Sequence, residues 1–156
     1  MVDFSRVDFE RLATNNKILG EGAGGVVHGP ITLNNNIEYA IKRVWFKKDQ
    51  YDSMRKKIAT KANIWMSLEN RNLMKIHFVR LDPNVFILME YAAGGSLCST
   101  LNKIRCTLSK LPVNVVADWS KQIAEGMLYL QDKKLVHRDL KTGNSEYNRS
   151  TVYVFL

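Results

Sequence analysis

At 156 residues, 46% of them hydrophobic and 24% charged, the chain is long enough for one modest domain with a core and too apolar for a disordered one. Its formal net charge of +8 is spread over both halves, which excludes a basic tail as the source. Eight basic residues do gather from Lys42 to Lys61 against Asp49 and Asp52, a cluster that can meet phosphate, nucleic acid or an acidic partner, or simply form a solvated helix face.

In chain order, the N-terminal Met1-Val2-Asp3-Phe4-Ser5 is acidic and lacks the apolar core of a secretory leader. Gly20-Glu21-Gly22-Ala23-Gly24-Gly25-Val26-Val27 follows, a glycine-rich stretch whose backbone can approach phosphate oxygens. Val26-Val27-His28 continues as a strand, where a dinucleotide-binding fold needs a helix, and no Gly-Lys-Ser/Thr is present for a P-loop. Two strand-like runs, 26–33 and 37–45, flank the turn Asn34-Asn35-Asn36. Lys42 lies on the second of them, in Tyr39-Ala40-Ile41-Lys42, where an ammonium can neutralise phosphates held under the glycine loop. Helical spacing of Met54, Ile58, Trp65 and Leu68 predicts a helix over about 52–68, with Asp49, Asp52 or Ser53 as its cap. Two more strands, 78–81 and 85–91, flank Pro83-Asn84. The first half therefore reads as an antiparallel sheet with one inserted helix.

After Gly94-Gly95 the pattern turns helical. A short helix is expected over 97–104 and a longer one opening at Pro112, with Val115 or Val116, Trp119, Ile123, Met127 and Leu130 as its apolar stripe. Then comes His137-Arg138-Asp139-Leu140-Lys141-Thr142-Gly143-Asn144. An aspartate here can take the proton of an attacking hydroxyl. Asn144 can hold Mg²⁺ through its amide oxygen, and Lys141 can balance charge on a moving phosphoryl group. Residues 152–155 read as a final strand. Cys98 and Cys106 lack metal-type spacing and are expected to be free thiols; the three histidines are scattered. No apolar run approaches the ~18 residues of a membrane span, and a cytoplasmic setting is expected.

Together the glycine loop, the strand lysine and the His137–Asn144 octad resemble the eukaryotic protein kinases. Lys141 is similar to the serine/threonine type. The string from Met89 to Leu97 looks most like the mixed-lineage and TGF-β-activated branch, the MAP kinase kinase kinases. The resemblance implies an α+β fold: an N-terminal extension (1–8), a β-rich small lobe with hinge (9–93), and the beginning of a helical large lobe (94–156). It implies ATP and Mg²⁺ as cofactors, with a protein substrate or a partner kinase or scaffold, and no nucleic acid. Nucleotide contacts are implied for Leu19, Gly20, Glu21, Gly22, Ala23, Gly24, Gly25, Val26, Val27, Ala40, Lys42, Met89, Glu90 and Tyr91. Met89 would be the gatekeeper, and the Glu90–Tyr91 backbone would meet adenine. Catalysis is implied for Asp139, Lys141 and Asn144, and Gly22, Lys42, Asp139 and Asn144 are expected to converge on one nucleotide cleft.

Two departures from the family pattern stand out. The glutamate that pairs with the strand lysine aligns with Lys61, which shares the inner face with Ile58 and Trp65. Like charges at about 4 Å would repel by ~4 kcal/mol at an effective dielectric near 20. The family's Asp-Phe-Gly would begin about at Leu156, where the sequence ends. The expectation is therefore an impaired, marginally stable kinase fragment, or else a non-catalytic, pseudokinase-type docking module.

Overall fold

A computed structural model describes residues 3–22, 24–107, 110–148 and 150–155. The chain is α+β and divides into two compact units, one of residues 1–68 and 75–91, the other of residues 69–74 and 92–156.

The first unit opens with a helix that the sequence reading did not anticipate, α1 (Phe9–Asn15), capped by the Asp8 carboxylate accepting from the Arg11 N–H. Its strands are β1 (Ile18–Gly22), β2 (Gly25–Thr32), β3 (Glu38–Val44), β4 (Ile76–Arg80) and β5 (Phe86–Glu90). They form one antiparallel sheet in the order β1-β2-β3-β5-β4. Side chains alternate across a strand, and here the alternation builds two different faces. Tyr39 and Ile41 of β3, with Phe86 and Leu88 of β5, join Ile31 and the α1 residues Phe9 and Ala13 in one core. Phe4 and Val7 pack against the same cluster, so the segment before α1 also helps cover this face. Glu10 ties α1 down, accepting from Asn84 at 2.6 Å and from Arg80 at 3.3 Å.

Helix α2 (Tyr51–Ser67) is the inserted helix, preceded by a 3-10 turn at Lys48–Gln50. The expected side-chain cap is not made. Gln50 occupies the cap position and no side chain bonds there, because the 3-10 turn places Asp49 and Asp52 on either side of it. The buried residues of α2 are Ile58 and Ala62. Lys61, expected on the inner face, is exposed, one position off the buried stripe.

The second unit contains α3 (Leu97–Cys106) and α4 (Val113–Asp132), followed by a hairpin of β6 (Ser145–Asn148) and β7 (Thr151–Val154). Ser96 caps α3 with its hydroxyl. Leu97, Trp119 and Val152 form a core with Val115 and Ile123 against it, while Val116 is exposed. A buried polar network joins these parts. Gln122 of α4 accepts from the Val152 N–H at 2.8 Å and from the Asn72 amide at 3.1 Å, and Asn72 also donates to the Val152 carbonyl. Cys98 and Cys106 are free and exposed. Among the described residues no helix is long and apolar enough to cross a membrane, and no cluster of three or more His, Cys, Asp or Glu could hold a metal.

Candidate active site

In the first unit the candidate residues sort by sheet face. Residues directly opposite in an antiparallel pair share a face. Val27 lies opposite Lys42, Lys42 opposite Ile87, and Ala40 opposite Met89. Val27, Ala40, Lys42 and Met89 thus stand on the face away from α1, since their neighbours Tyr39, Ile41 and Leu88 belong to the α1 core. Ala40 and Met89 are buried and Lys42 is half-buried. Glu21 pairs with Val26, and Val26 with Arg43, which puts these side chains on the opposite face. From there Glu21 and Val26 offer the Lys42 face only their backbone groups.

The turn between β1 and β2 is closed by the Gly22–Gly25 pair. Gly25 has φ of 131°, and a Cβ there would collide with the Arg43 carbonyl, so this position tolerates no side chain. Gly20, Gly22 and Gly24 differ: a Cβ on any of them would meet nothing within 4 Å. Their bareness leaves the backbone open to something outside the fold, which fits a bulky polyphosphate lying across N–H groups. Leu19 is exposed on β1, and Ala23 lies outside the described residues. At the end of β5 the Glu90 N–H donates to the Lys75 carbonyl at 3.0 Å. That donor is engaged within the first unit and is not open to the adenine contact that the resemblance implies for it.

In the second unit the candidate residues come together. α4 ends in a reversal at Lys134, with φ of 58°, where the Leu135 N–H reaches back to the Leu130 carbonyl at 2.8 Å. The loop that follows is anchored through His137. Its Nε2 donates to the Phe155 carbonyl at 2.7 Å, which fixes the tautomer and leaves Nδ1 to accept from the Asp139 N–H at 3.2 Å. Arg138 between them adopts a left-handed conformation, φ 68°, a strain concentrated next to the Asp139 carboxylate. The Phe155 N–H donates in turn to the Asn144 carbonyl at 2.8 Å, so one residue after β7 holds both ends of the loop.

Asp139 Oδ2 accepts from Lys141 Nζ at 2.7 Å and from Asn144 Nδ2 at 2.8 Å. The same amide nitrogen donates to the Asp139 carbonyl at 2.9 Å, which leaves Asn144 Oδ1 as the ligand end of the amide. The hydrogen bond from Lys141 first, and that from Asn144 second, hold the exposed Asp139 carboxyl below its ordinary pKa. An amide oxygen beside a carboxylate suits Mg²⁺, which takes few protein oxygens and completes its shell with water and phosphate. Sequence reasoning named Asp139, Lys141 and Asn144. It passed over the structural roles of His137 and Phe155; the His-x-Asp spacing was the available signal for the first, and nothing local marked the second.

A family model described as protein tyrosine and serine/threonine kinase matches residues 13–151. Serine/threonine-protein kinase dst4 of Dictyostelium discoideum is 30% identical over 94% of this chain and 29% of its own length. A mitogen-activated protein kinase kinase kinase of Drosophila melanogaster is 35% identical over 62% of this chain and 8% of its own. The human mitogen-activated protein kinase kinase kinase 19 is 31% identical over 85% of this chain and 10% of its own. The chain thus spans less than a third of the length of these relatives. With most of its residues matched by the family model and these kinases as its relatives, the chain belongs to the protein kinase family, on the serine/threonine side.

Proposed function

We propose that this chain is the nucleotide-handling part of a serine/threonine kinase that uses ATP with Mg²⁺ and phosphorylates a serine or threonine hydroxyl of another protein. The names of the Drosophila and human relatives point the reading toward MAP-kinase-type signalling; the cytoplasm is the setting this reading proposes. The observation that carries it is the Asp139 carboxylate, hydrogen-bonded by Lys141 and Asn144 on a loop anchored by His137 and Phe155.

In this reading the N–H groups of the Gly20–Gly25 turn and the Lys42 ammonium receive the nucleotide phosphates. Val27, Ala40 and Met89 supply the apolar surface for the base. Asn144 Oδ1 is the protein ligand for Mg²⁺. Bound ATP supplies the phosphoryl group and the leaving group. The acceptor hydroxyl gives its proton to Asp139, and Lys141 balances the charge spread over the transferred oxygens.

General-base contributions run to roughly 10²–10⁴-fold. Asp139→Asn is therefore expected to cut phosphotransfer from Mg·ATP by about that factor while leaving nucleotide affinity nearly unchanged. An unaltered rate in that variant would remove Asp139 from the mechanism. A second reading, a non-catalytic module that docks on a kinase or scaffold, is favoured by the absence of any aspartate or glutamate from residues 53–67, the body of the inserted helix. Partner binding that survives both Lys42→Met and Asp139→Asn, with no phosphotransfer by the parent chain, would select it.

A further inference from the structure

In kinases generally, an ion pair from the middle of the inserted helix to the strand lysine must be in place for activity, and regulation works by making or breaking it. The middle of α2 cannot make that pair. Residues 53–67 carry no aspartate or glutamate, and Lys61, which the sequence reading aligned with the family's glutamate, is exposed with its ammonium 6.0 Å from the Trp65 ring centroid. Among the described residues no carboxylate lies within ion-pair distance of it.

What α2 has instead is a fastening at each end, both within the first unit. At the start, the Tyr51 hydroxyl donates to the Pro83 carbonyl at 2.6 Å, and Arg55, one turn later, pairs with Asp82 at 3.5 Å. Both partners sit in the connection between β4 and β5. Phe46 packs edge-on against the Tyr51 ring at 5.9 Å. This is also the end that lacks a side-chain cap. At the other end, Lys75 Nζ donates to the carbonyls of Met66 and Leu68 at 3.3 and 3.5 Å. A cation on the last carbonyls of a helix satisfies groups that have no partner within the helix.

We propose that the Tyr51–Pro83 and Arg55–Asp82 lock, and not an ion pair from the middle of α2 to Lys42, sets the position of the start of α2 in this lobe. Tyr51 and Arg55 are then positioning residues. A regulator that works through the start of α2 has to act at the β4–β5 connection, for example by offering a carboxylate that takes Arg55 from Asp82. The inference does not depend on nucleotide binding.

Amide hydrogen exchange on the whole chain tests it. Losing the Tyr51 hydroxyl and the Arg55 charge together in Tyr51→Phe/Arg55→Ala removes one neutral hydrogen bond and one partly exposed ion pair. The amides of the first two turns of α2 are expected to exchange about tenfold faster, while those of β2, β3 and β5 keep the parent rate. Lys61→Ala is expected to leave α2 exchange unchanged. The charge swap Arg55→Asp/Asp82→Arg is expected to recover protection that Arg55→Asp alone loses, a rescue that a merely local packing role would not give. Unchanged exchange in the double variant, failure of the swap to rescue, or loosening of α2 by Lys61→Ala would each overturn the lock. The sheet amides report whether a variant has folded. The single change Tyr51→Phe keeps the ring and gives the same reading, at about fivefold, if the double variant does not fold. Added Mg·ATP reads the nucleotide proposal separately, through protection at Gly20–Val27, so either proposal can fail without the other.

Discussion

The glycine turn of the first unit and the His137–Asn144 loop of the second are built by opposite means. The turn is made of backbone and open space. Its one strict demand is at Gly25, where the next strand leaves no room for a Cβ, and Gly20, Gly22 and Gly24 stay bare without any neighbour requiring it. The loop is made of side-chain hydrogen bonds, and its ends hang on Phe155, a residue beyond a hairpin that is itself held by Gln122 and Asn72. Under the proposed function, the turn works by being accessible to phosphate and Asp139 by being held still. The two regions therefore fail differently when a single residue is changed.

Gly25 offers the largest effect. Gly25→Ala meets both the Arg43 carbonyl and a φ that L-residues rarely adopt. Strain and overpacking together are expected to cost on the order of 3 kcal/mol. Gly24→Ala, next door in open space, is expected to leave stability within about 0.5 kcal/mol. Chemical denaturation of the two variants checks the contrast. Equal losses would mean that both glycines are structural and that the turn is not shaped for a ligand.

Gln122 is the matching probe for the loop. Gln122→Ala strands the buried Val152 N–H and takes a partner from Asn72, at a cost of about 2 kcal/mol. The loss should propagate along the hairpin, so faster amide exchange is expected at Asn144 and Phe155 as well as at Val152. If only Val152 loosened, the hairpin would not be what steadies Asp139.

These two sites also mark how far the sequence could be read. The glycine spacing, the strand lysine and the His137–Asn144 octad are local patterns whose chemistry needs only a few neighbouring residues, and four of the five strands of the sheet followed from strand-like runs and turn residues, while β1, which carries the first glycines, was not read as a strand. The Asn72–Gln122 pair was invisible because its partners are 50 residues apart and polar, so an apolar-stripe reading of α4 steps over Gln122. Helix α1 was missed although Phe9, Leu12 and Ala13 carry helical spacing behind an Asp cap. Lys61 was put on the inner face of α2 by counting turns from Ile58, whereas the buried stripe runs through Ala62.

A smaller effect sits on the α1 side of the sheet. His77 is half-buried, its ring edge-on to Tyr39 at 5.0 Å and tilted against Phe4 at 6.1 Å. Burial, and secondarily the Lys75 charge, lower its pKa below the usual 6.5. The unfolded chain therefore takes up the proton more readily than the folded one. The His77 contribution is complete above pH 6.5 and declines as pH falls through that value toward the lower folded pKa. His77→Gln is expected to flatten the stability profile between pH 7 and pH 5 relative to the parent, and denaturant midpoints across that range measure it. A parallel decline in both proteins would assign the acid limb to other groups.

The smallest predicted change improves the protein. Lys134 and Arg138 both adopt left-handed backbone, φ 58° and 68°, four residues apart. At Lys134 the conformation serves only to end α4, through the Leu135-to-Leu130 and Lys134-to-Gln131 hydrogen bonds, a place where glycine is the usual choice. Lys134→Gly relieves the Cβ strain but frees the unfolded chain, for a net gain of about 0.5 kcal/mol. At Arg138 the same conformation aims the Asp139 N–H at His137 Nδ1, so Arg138→Gly trades strain for freedom in the loop itself. Thermal midpoints are expected to rise in the first variant, with amide exchange at Asp139 unchanged. In the second, exchange at Asp139 is expected to quicken whatever the midpoint does. A glycine at 138 that left Asp139 as protected as before would show that His137, Lys141 and Asn144 hold the carboxylate without help from the backbone turn.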